Sequence, residues 1–267
     1  MRAAVSVVIP CYRCTATIAR AVQSVADQTL PPQELLLVED CSDDAGQTLE
    51  MLYHVQRDYG HTLDIRILAL GENRGPGGAR NAGWDAAGGN YLAFLDADDE
   101  WHPQKLSVQY GYMQQHPDIA VTGHQYFVMR DSEPRQPAEK LPHTRISPAS
   151  LLFRNSFPTS SVMLKREIGL RFAPGKRFAE DLYLWQQIAY AGFLIVRIEA
   201  PLVYYYKALY GADGLSARLW DMERGELENL STLYRDRTIG RTLSIAASLF
   251  SLVKYCKRVV FTRLLRQ

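Results

Sequence analysis

The chain has 267 residues, enough to bury a sizeable core in one large α/β domain, and its 30 basic against 29 acidic side chains leave a formal charge of +1. So even a balance excludes a protein drawn to nucleic acid by its overall field. Four cysteines are too few for a disulfide scaffold, and the first apolar block, Val5 to Ile9, is too short for a secretory signal, so reduced thiols and a cytoplasmic location are expected.

Val5 to Ile9 is a β-branched run ended by Pro10 and reads as a buried strand opening into a loop. Thr15 to Gln28 repeats apolar residues at Ile18, Ala21, Val22 and Val25, a helical period, before Pro31 and Pro32. Leu35 to Val38 is a second strand, stopped by Glu39 and Asp40. A helix with Leu49, Leu52, Tyr53 and Val55 leads to a third strand, Ile65 to Leu70. The glycine-rich segment Gly71 to Gly78 precedes a helix around Ala79 to Ala87, and Tyr91 to Leu95 is the fourth strand. Such alternation predicts a mostly parallel central sheet covered on both faces, with ligands beyond the carboxyl ends of its strands. After Pro103 the expected elements are a helix over Lys105 to Gln115, a strand over Ile119 to Val128 and a surface loop or flap over Arg130 to Ser147. A short strand at Ser161 to Leu164 follows, then a helix over Asp181 to Tyr190 and strands at Leu194 to Ile198 and Leu202 to Tyr206. The boundary near residue 103 reads as a change of role within one domain.

The most informative stretch is LAFLDADDE, Leu92 to Glu100, where an apolar run stops at Asp96, Asp98 and Asp99. Crowded carboxylates repel one another and must stay solvated or find a cation. A hard divalent ion suits Asp-x-Asp oxygens and completes its shell with water and substrate phosphates, whereas an isolated motif of this kind is simply a polar turn. Glu180 and Asp181 form a second acidic pair at the entry of an amphipathic helix, where an acid can equally cap the first N–H groups. Gly75 and Gly77 begin a G-x-G, but Arg80 stands where a dinucleotide fingerprint needs its third glycine, and no Gly-Lys-Ser/Thr exists for a P-loop. Cys11 and Cys14 form C-x-x-C without the two further ligands a zinc site needs.

Taken together, VSVVIPCYR from Val5, LLLVEDCSDD from Leu35, ENRGPGGARNAG from Glu72, LAFLDADDE from Leu92 and FAEDLYLW from Phe178 resemble the family 2 glycosyltransferases with the GT-A fold, of the bacterial surface-polysaccharide type. The resemblance implies an inverting hexosyl- or N-acetylhexosaminyltransferase using a nucleoside diphosphate sugar, with UDP favoured. It puts Pro10 and Tyr12 in the loop around the nucleobase, Asp40 as acceptor of the base N–H, Arg80 beside the nucleotide and Asp96 near the ribose. It also implies Mn2+ or Mg2+ held at Asp98, Asp99 in support, Asp181 as catalytic base and Glu180 as a supporting or acceptor-contacting residue. Relatives carry a histidine after the last core strand, and YYYKALYGADGLSAR, from Tyr204, has none; Lys207, Asp213 or Arg218 are the weaker substitutes.

The expected organisation is a catalytic domain over residues 1–218, with a nucleotide-binding half (1–102) and an acceptor-binding half (103–218), followed by a helical tail over 219–267. From Ile239 onward the tail carries Arg241, Lys254, Lys257, Arg258, Arg263 and Arg266 and no acid. That pattern fits either a helix lying on an anionic membrane or a helix packed on the domain with a solvated basic face. The resemblance implies a glycan or lipid-linked acceptor, and a lipid-linked or growing surface glycan is expected if the tail binds lipid. A sugar-phosphate nucleotidyltransferase and an inactive nucleotide-sugar-binding scaffold are the competing readings; the first lacks a glycine-rich loop with an activating lysine after the first strand.

Overall fold

The computed structural model of the protein describes residues 2–129, 141–206 and 218–264. Its first half is β1 (Ala3–Cys11), α1 (Ile18–Ala26), β2 (Pro32–Glu39), α2 (Gln47–Tyr59), β3 (Ile65–Ala69), α3 (Gly75–Ala86) and β4 (Tyr91–Phe94). The four strands pair in parallel in the order β3-β2-β1-β4. Alternation along β1 shows why both faces must be covered. Val5, Val7 and Ile9 pack with Ile18, Val22 and Val25 of α1 on one side, while Val8 joins Leu36, Phe94 and Trp84 of α3 on the other. Helix α3 lies close against the sheet because Gly83 lacks a side chain there, and a Cβ at that position would sit 2.4 Å from Val8 Cγ1.

The second half adds β5 (Glu100–Trp101), α4 (Lys105–Gln115), β6 (Ile119–Val128), β7 (His143–Ile146), β8 (Met163–Lys165), α5 (Glu180–Tyr190) and β9 (Leu194–Tyr205). It completes a nine-stranded sheet, β3-β2-β1-β4-β8-β6-β9-β5, with β7 on β9. Here the sheet is mixed. Strand β8 meets both β4 and β6 antiparallel, while β6 and β9 run parallel. Helices α6 (Leu219–Arg235) and α7 (Arg241–Leu264) follow.

Four expectations are corrected. The segment Gly71 to Gly78 is not all loop, because α3 begins at Gly75, with Pro76 suited to a first helical turn. The two strands expected from Leu194 to Tyr206 are one strand whose register against β6 shifts around Pro201, where proline cannot donate a ladder hydrogen bond. Part of the expected surface loop is the edge strand β7, hidden from pattern reading because three of its four side chains are exposed. Finally, Tyr53 of α2 is exposed, so its helical period marks one residue too many as core.

Candidate functional site

The carboxyl ends of β1, β2 and β4 and the N-terminus of α5 open onto one cleft of about 950 Å³. The residues given donor, metal or catalytic roles by the resemblance all line it: Pro10, Tyr12, Asp40, Arg80, Asp96, Asp98, Asp99, Glu180 and Asp181. Lys207 and Asp213 lie outside the described residues, whereas Arg218 lines the cleft, pairs with Asp221 at 2.6 Å and sits 5.1 Å from the Phe178 ring centre.

At the β1–β2 end, the Tyr12 hydroxyl donates to Asp43 at 2.6 Å, and Arg13 grips the same carboxylate at 2.5 Å. Asp40 is buried and accepts the Arg74 N–H at 2.7 Å, while its own carbonyl takes Asn73 Nδ2 at 2.8 Å. Burial raises its carboxyl above the ordinary range, opposed by the Arg74 and Gly75 N–H groups and by Arg177. The glycine segment thus tightens around the end of β2.

The acidic loop after β4 is braced from below. The Ser160 hydroxyl donates to buried Asp99 at 2.5 Å and accepts the Asp96 N–H at 3.1 Å, so one serine holds the residues on either side of Ala97 and Asp98. Arg20 of α1 donates to the Asp98 carbonyl at 2.9 Å.

Arg80 ties this loop to the second acidic pair. Its guanidinium is 4 % exposed and donates to Asp96 Oδ1 at 2.6 Å and to Glu180 Oε1 at 3.1 Å, with the Phe172 ring 5.5 Å away. Burial works against its charge, but Asp96 and Glu180 outweigh that effect and raise its pKa. Glu180 is pushed up to about 7, by burial first and by Asp181 next, against the pull of Arg80. The arginine is the counter-charge that lets two acid groups share one cleft.

Asp181 is held by three donors. Asn155 Nδ2 and Thr159 Oγ1 each reach Oδ2 at 3.0 Å, and the Leu182 N–H reaches Oδ1 at 2.7 Å. The residue before the pair, Ala179, has φ 52°, an uncommon left-handed conformation for a residue with a Cβ. Helix α6 secures it: Asn229 Nδ2 donates to the Ala179 carbonyl at 2.9 Å, and Gly225 packs so closely that a Cβ there would lie 2.6 Å from the Phe178 carbonyl oxygen.

Several lining residues carried no signal in the sequence. Asn155 and Thr159 sit in an NSFPTSS stretch that reads as a generic polar turn. Arg177, donating to Asn73 at 2.6 Å, follows Lys176 and reads as a surface cation. Tyr205 reads as ordinary strand core, yet its phenol lines the cleft, raised well above its usual range by burial and then by Asp99, Asp96 and Asp181. It remains a neutral O–H donor. Cys11 and Cys14 are buried free thiols, and burial raises Cys11 further.

Among the described residues no group of three or more His, Cys, Asp or Glu side chains is arranged to hold a metal. The donor set here is carboxylate oxygen at the Asp96–Asp98 turn, where Arg80 already claims Asp96 Oδ1. That suits a hard cation of the Mg2+ class, which takes one or two carboxylates and fills its shell from water and phosphates. It does not suit a metal demanding a full protein cage.

The model of the family described as Glycosyl transferase family 2 matches residues 6–178. Among curated proteins, a Bacillus subtilis (strain 168) glycosyltransferase named for teichuronic acid biosynthesis, TuaG, is 29% identical over 267 residues, covering 97% of each chain. The Escherichia coli UDP-Glc:alpha-D-GlcNAc-diphosphoundecaprenol beta-1,3-glucosyltransferase WfgD is 28% identical over 184 residues, 69% of each chain. Two kinds of solved structure share the fold. Staphylococcus aureus TarS 1-349 in complex with UDP-GlcNAc has a TM-score of 0.67 at 19% identity over 87% of this chain and 66% of that one. The Pyrobaculum calidifontis mannosyltransferase PcManGT in complex with GDP-Man and Mn2+ has a TM-score of 0.68 at 17% identity over 99% and 76%. A nine-stranded mixed sheet flanked by helices, a cleft at its strand ends and a family match over most of the chain agree: this protein belongs to glycosyl transferase family 2.

Proposed function

We propose that the chain is an inverting glycosyltransferase, moving a sugar from a nucleoside diphosphate sugar, UDP above others, to a hydroxyl of a glycan or lipid-linked acceptor. One observation carries the reading. Asp96, in the loop after β4, and Glu180, at the start of α5, meet on the buried guanidinium of Arg80, so the Asp-x-Asp turn and the α5 acid pair face the same cleft. The family match, and relatives whose names specify UDP-glucose and a diphosphoundecaprenol acceptor, support this choice of donor and acceptor.

In this reading Pro10, Tyr12 and Asp40 receive the nucleobase, Asp40 accepting its ring N–H, and Asp96 meets the ribose. Asp98 would hold a divalent cation, Mn2+ or Mg2+, which when bound supplies charge stabilisation at the departing diphosphate. Asp181 takes the acceptor's hydroxyl proton as that oxygen forms its bond to the anomeric carbon; the bond from that carbon to the diphosphate breaks on the opposite face. Asn155 and Thr159 hold Oδ2 of the base, and Tyr205 keeps an O–H beside the acids. Residues 1–102 thus serve the donor, 103–218 the acceptor, and the tail makes peripheral contact with the anionic inner face of the cell membrane.

The test is Asp181→Asn. Nucleotide affinity is expected to stay within a few-fold while transfer slows by roughly 10² to 10⁴, the usual worth of a positioned base. Near-normal turnover removes Asp181 from the role. A sugar-phosphate nucleotidyltransferase would instead release pyrophosphate from a nucleoside triphosphate, and an inactive scaffold would bind UDP-sugar without ever releasing UDP.

A further inference from the structure

Helix α7 does more than pack on a domain. In its first turns Leu243 and Ala247 pack with Leu230 and Leu233 of α6, and beyond them its inward side is polar. Ser251 and Lys254 reach Glu226 of α6 at 3.0 and 3.2 Å, Lys254 also donates to the Phe153 carbonyl at 2.8 Å, and Arg258 reaches buried Glu223 at 2.8 Å. Its outward side is apolar, with Ile245, Leu249, Val253, Val260 and Phe261 each at least half exposed. Ile245, Leu249, Val253 and Val260 recur at helical spacing along one stripe. Trp220 of α6, 56 % exposed and edge-on to Tyr255, flanks it with the amphipathic ring type that favours a membrane–water boundary.

We infer that α7 docks the protein on a lipid surface by burying this outward stripe in the headgroup region, with the apolar side chains rather than the basic ones providing most of the attachment. The inference rests on the proposed function in one respect, that the acceptor sugar is carried on a lipid. Charge selects the occupant. Among the described side chains of α7 the exposed charged ones, Arg241 and Lys257, are both positive, and no acid occurs after Ile239 to answer them. A second copy packed stripe to stripe would set like charges together, whereas anionic phospholipid neutralises them. No described helix is long and apolar enough to cross a membrane, so the helix lies in the plane. Helix α6 links the stripe to the cleft, since Arg218 and Met222 line the cleft while Glu223 and Glu226 of the same helix anchor α7.

Flotation of the full chain with phosphatidylcholine vesicles containing roughly 30 % phosphatidylglycerol tests this. The chain is expected to float, and most of it to stay bound at about 0.5 M salt, where charge attraction is screened within a few ångströms. The triple variant Leu249→Gln, Val253→Gln, Val260→Gln alters only exposed positions, so its melting temperature should match the parent while its bound fraction falls roughly tenfold or more. Equal flotation of variant and parent, release of the parent by salt, or a parent dimer that the triple variant dissolves would each overturn the inference. Release of UDP from UDP-sugar, measured on the same samples, separates the two claims. Flotation without any UDP release defeats the glycosyl-transfer reading and leaves docking intact; UDP release without flotation does the reverse.

Discussion

Glu180 and Arg80 show how a single side chain keeps an acid-rich cleft foldable. An unfolded glutamic acid titrates near 4.5, but the folded Glu180 titrates at about 7, so between those values the native state holds the extra proton. Linkage then makes stability fall as pH rises through that window, with the penalty complete above about 7. Buried His102 and His124, both lowered by burial, contribute the opposite slope at the acid end of the same range and are present in either protein. Glu180→Gln should therefore differ from the parent by the loss of a downward slope between about pH 4.5 and 7, read from melting temperatures across pH; parallel curves would contradict the assignment. The acid pairs themselves were legible in the sequence because clustered carboxylates are rare enough to stand out. Their partners were not, since Asn155, Thr159 and Ser160 acquire meaning only when chain folding brings them beneath Asp181 and Asp99.

At the scale of elements, α4 and α6 carry the clearest tests. Lys105 opens α4 with its amine fully buried, 3.8 Å from the Trp101 ring centre and without a hydrogen-bond partner, and burial lowers its pKa well below the ordinary value. The folded chain binds that proton less readily than the unfolded one, so the amine costs stability at neutral pH. Lys105→Met is expected to raise the urea midpoint, by about 1 kcal/mol or more in unfolding free energy. On α6, a methyl group at Gly225 would meet the Phe178 carbonyl and push the helix off the turn that carries Ala179 and Asp181. Gly225→Ala should cost about 1 to 3 kcal/mol in stability and lower kcat while leaving UDP affinity nearly unchanged, as calorimetry and turnover would show. The regular strands and helices of the first half were readable because burial on both faces imposes long β-branched runs. Strand β5 has two residues and β7 is mostly exposed, so neither leaves a pattern. For α7 the period announced an amphipathic helix but not its orientation, which depends on acids of α6 that take up Lys254 and Arg258.

For the molecule as a whole, the cleft joins elements distant in sequence, so a ligand that fills it should hold the fold together. With UDP-sugar and Mn2+ at about 100 times Kd, the folded state gains about 2.7 kcal/mol, seen as a rise in melting temperature. Chelation by EDTA, or Asp98→Ala, is expected to abolish most of that rise; a shift indifferent to both would remove the cation from the donor site. The parallel pairing of the first half was legible from its strand–helix alternation, whereas the reversal of direction at the β4–β8 pairing was not, because a three-residue strand has no directional signature. That reversal divides labour along a seam. On the proposed function, loops on one side would meet the demands of a fixed leaving group, and loops on the other those of whichever alcohol is presented. On the proposed function, substitutions that retune the incoming partner can accumulate between residues 141 and 206 only away from Ser160, Arg177 and Glu180, which reach across the seam to Asp96, Asn73 and Arg80, and one chassis can then diversify into many linkages.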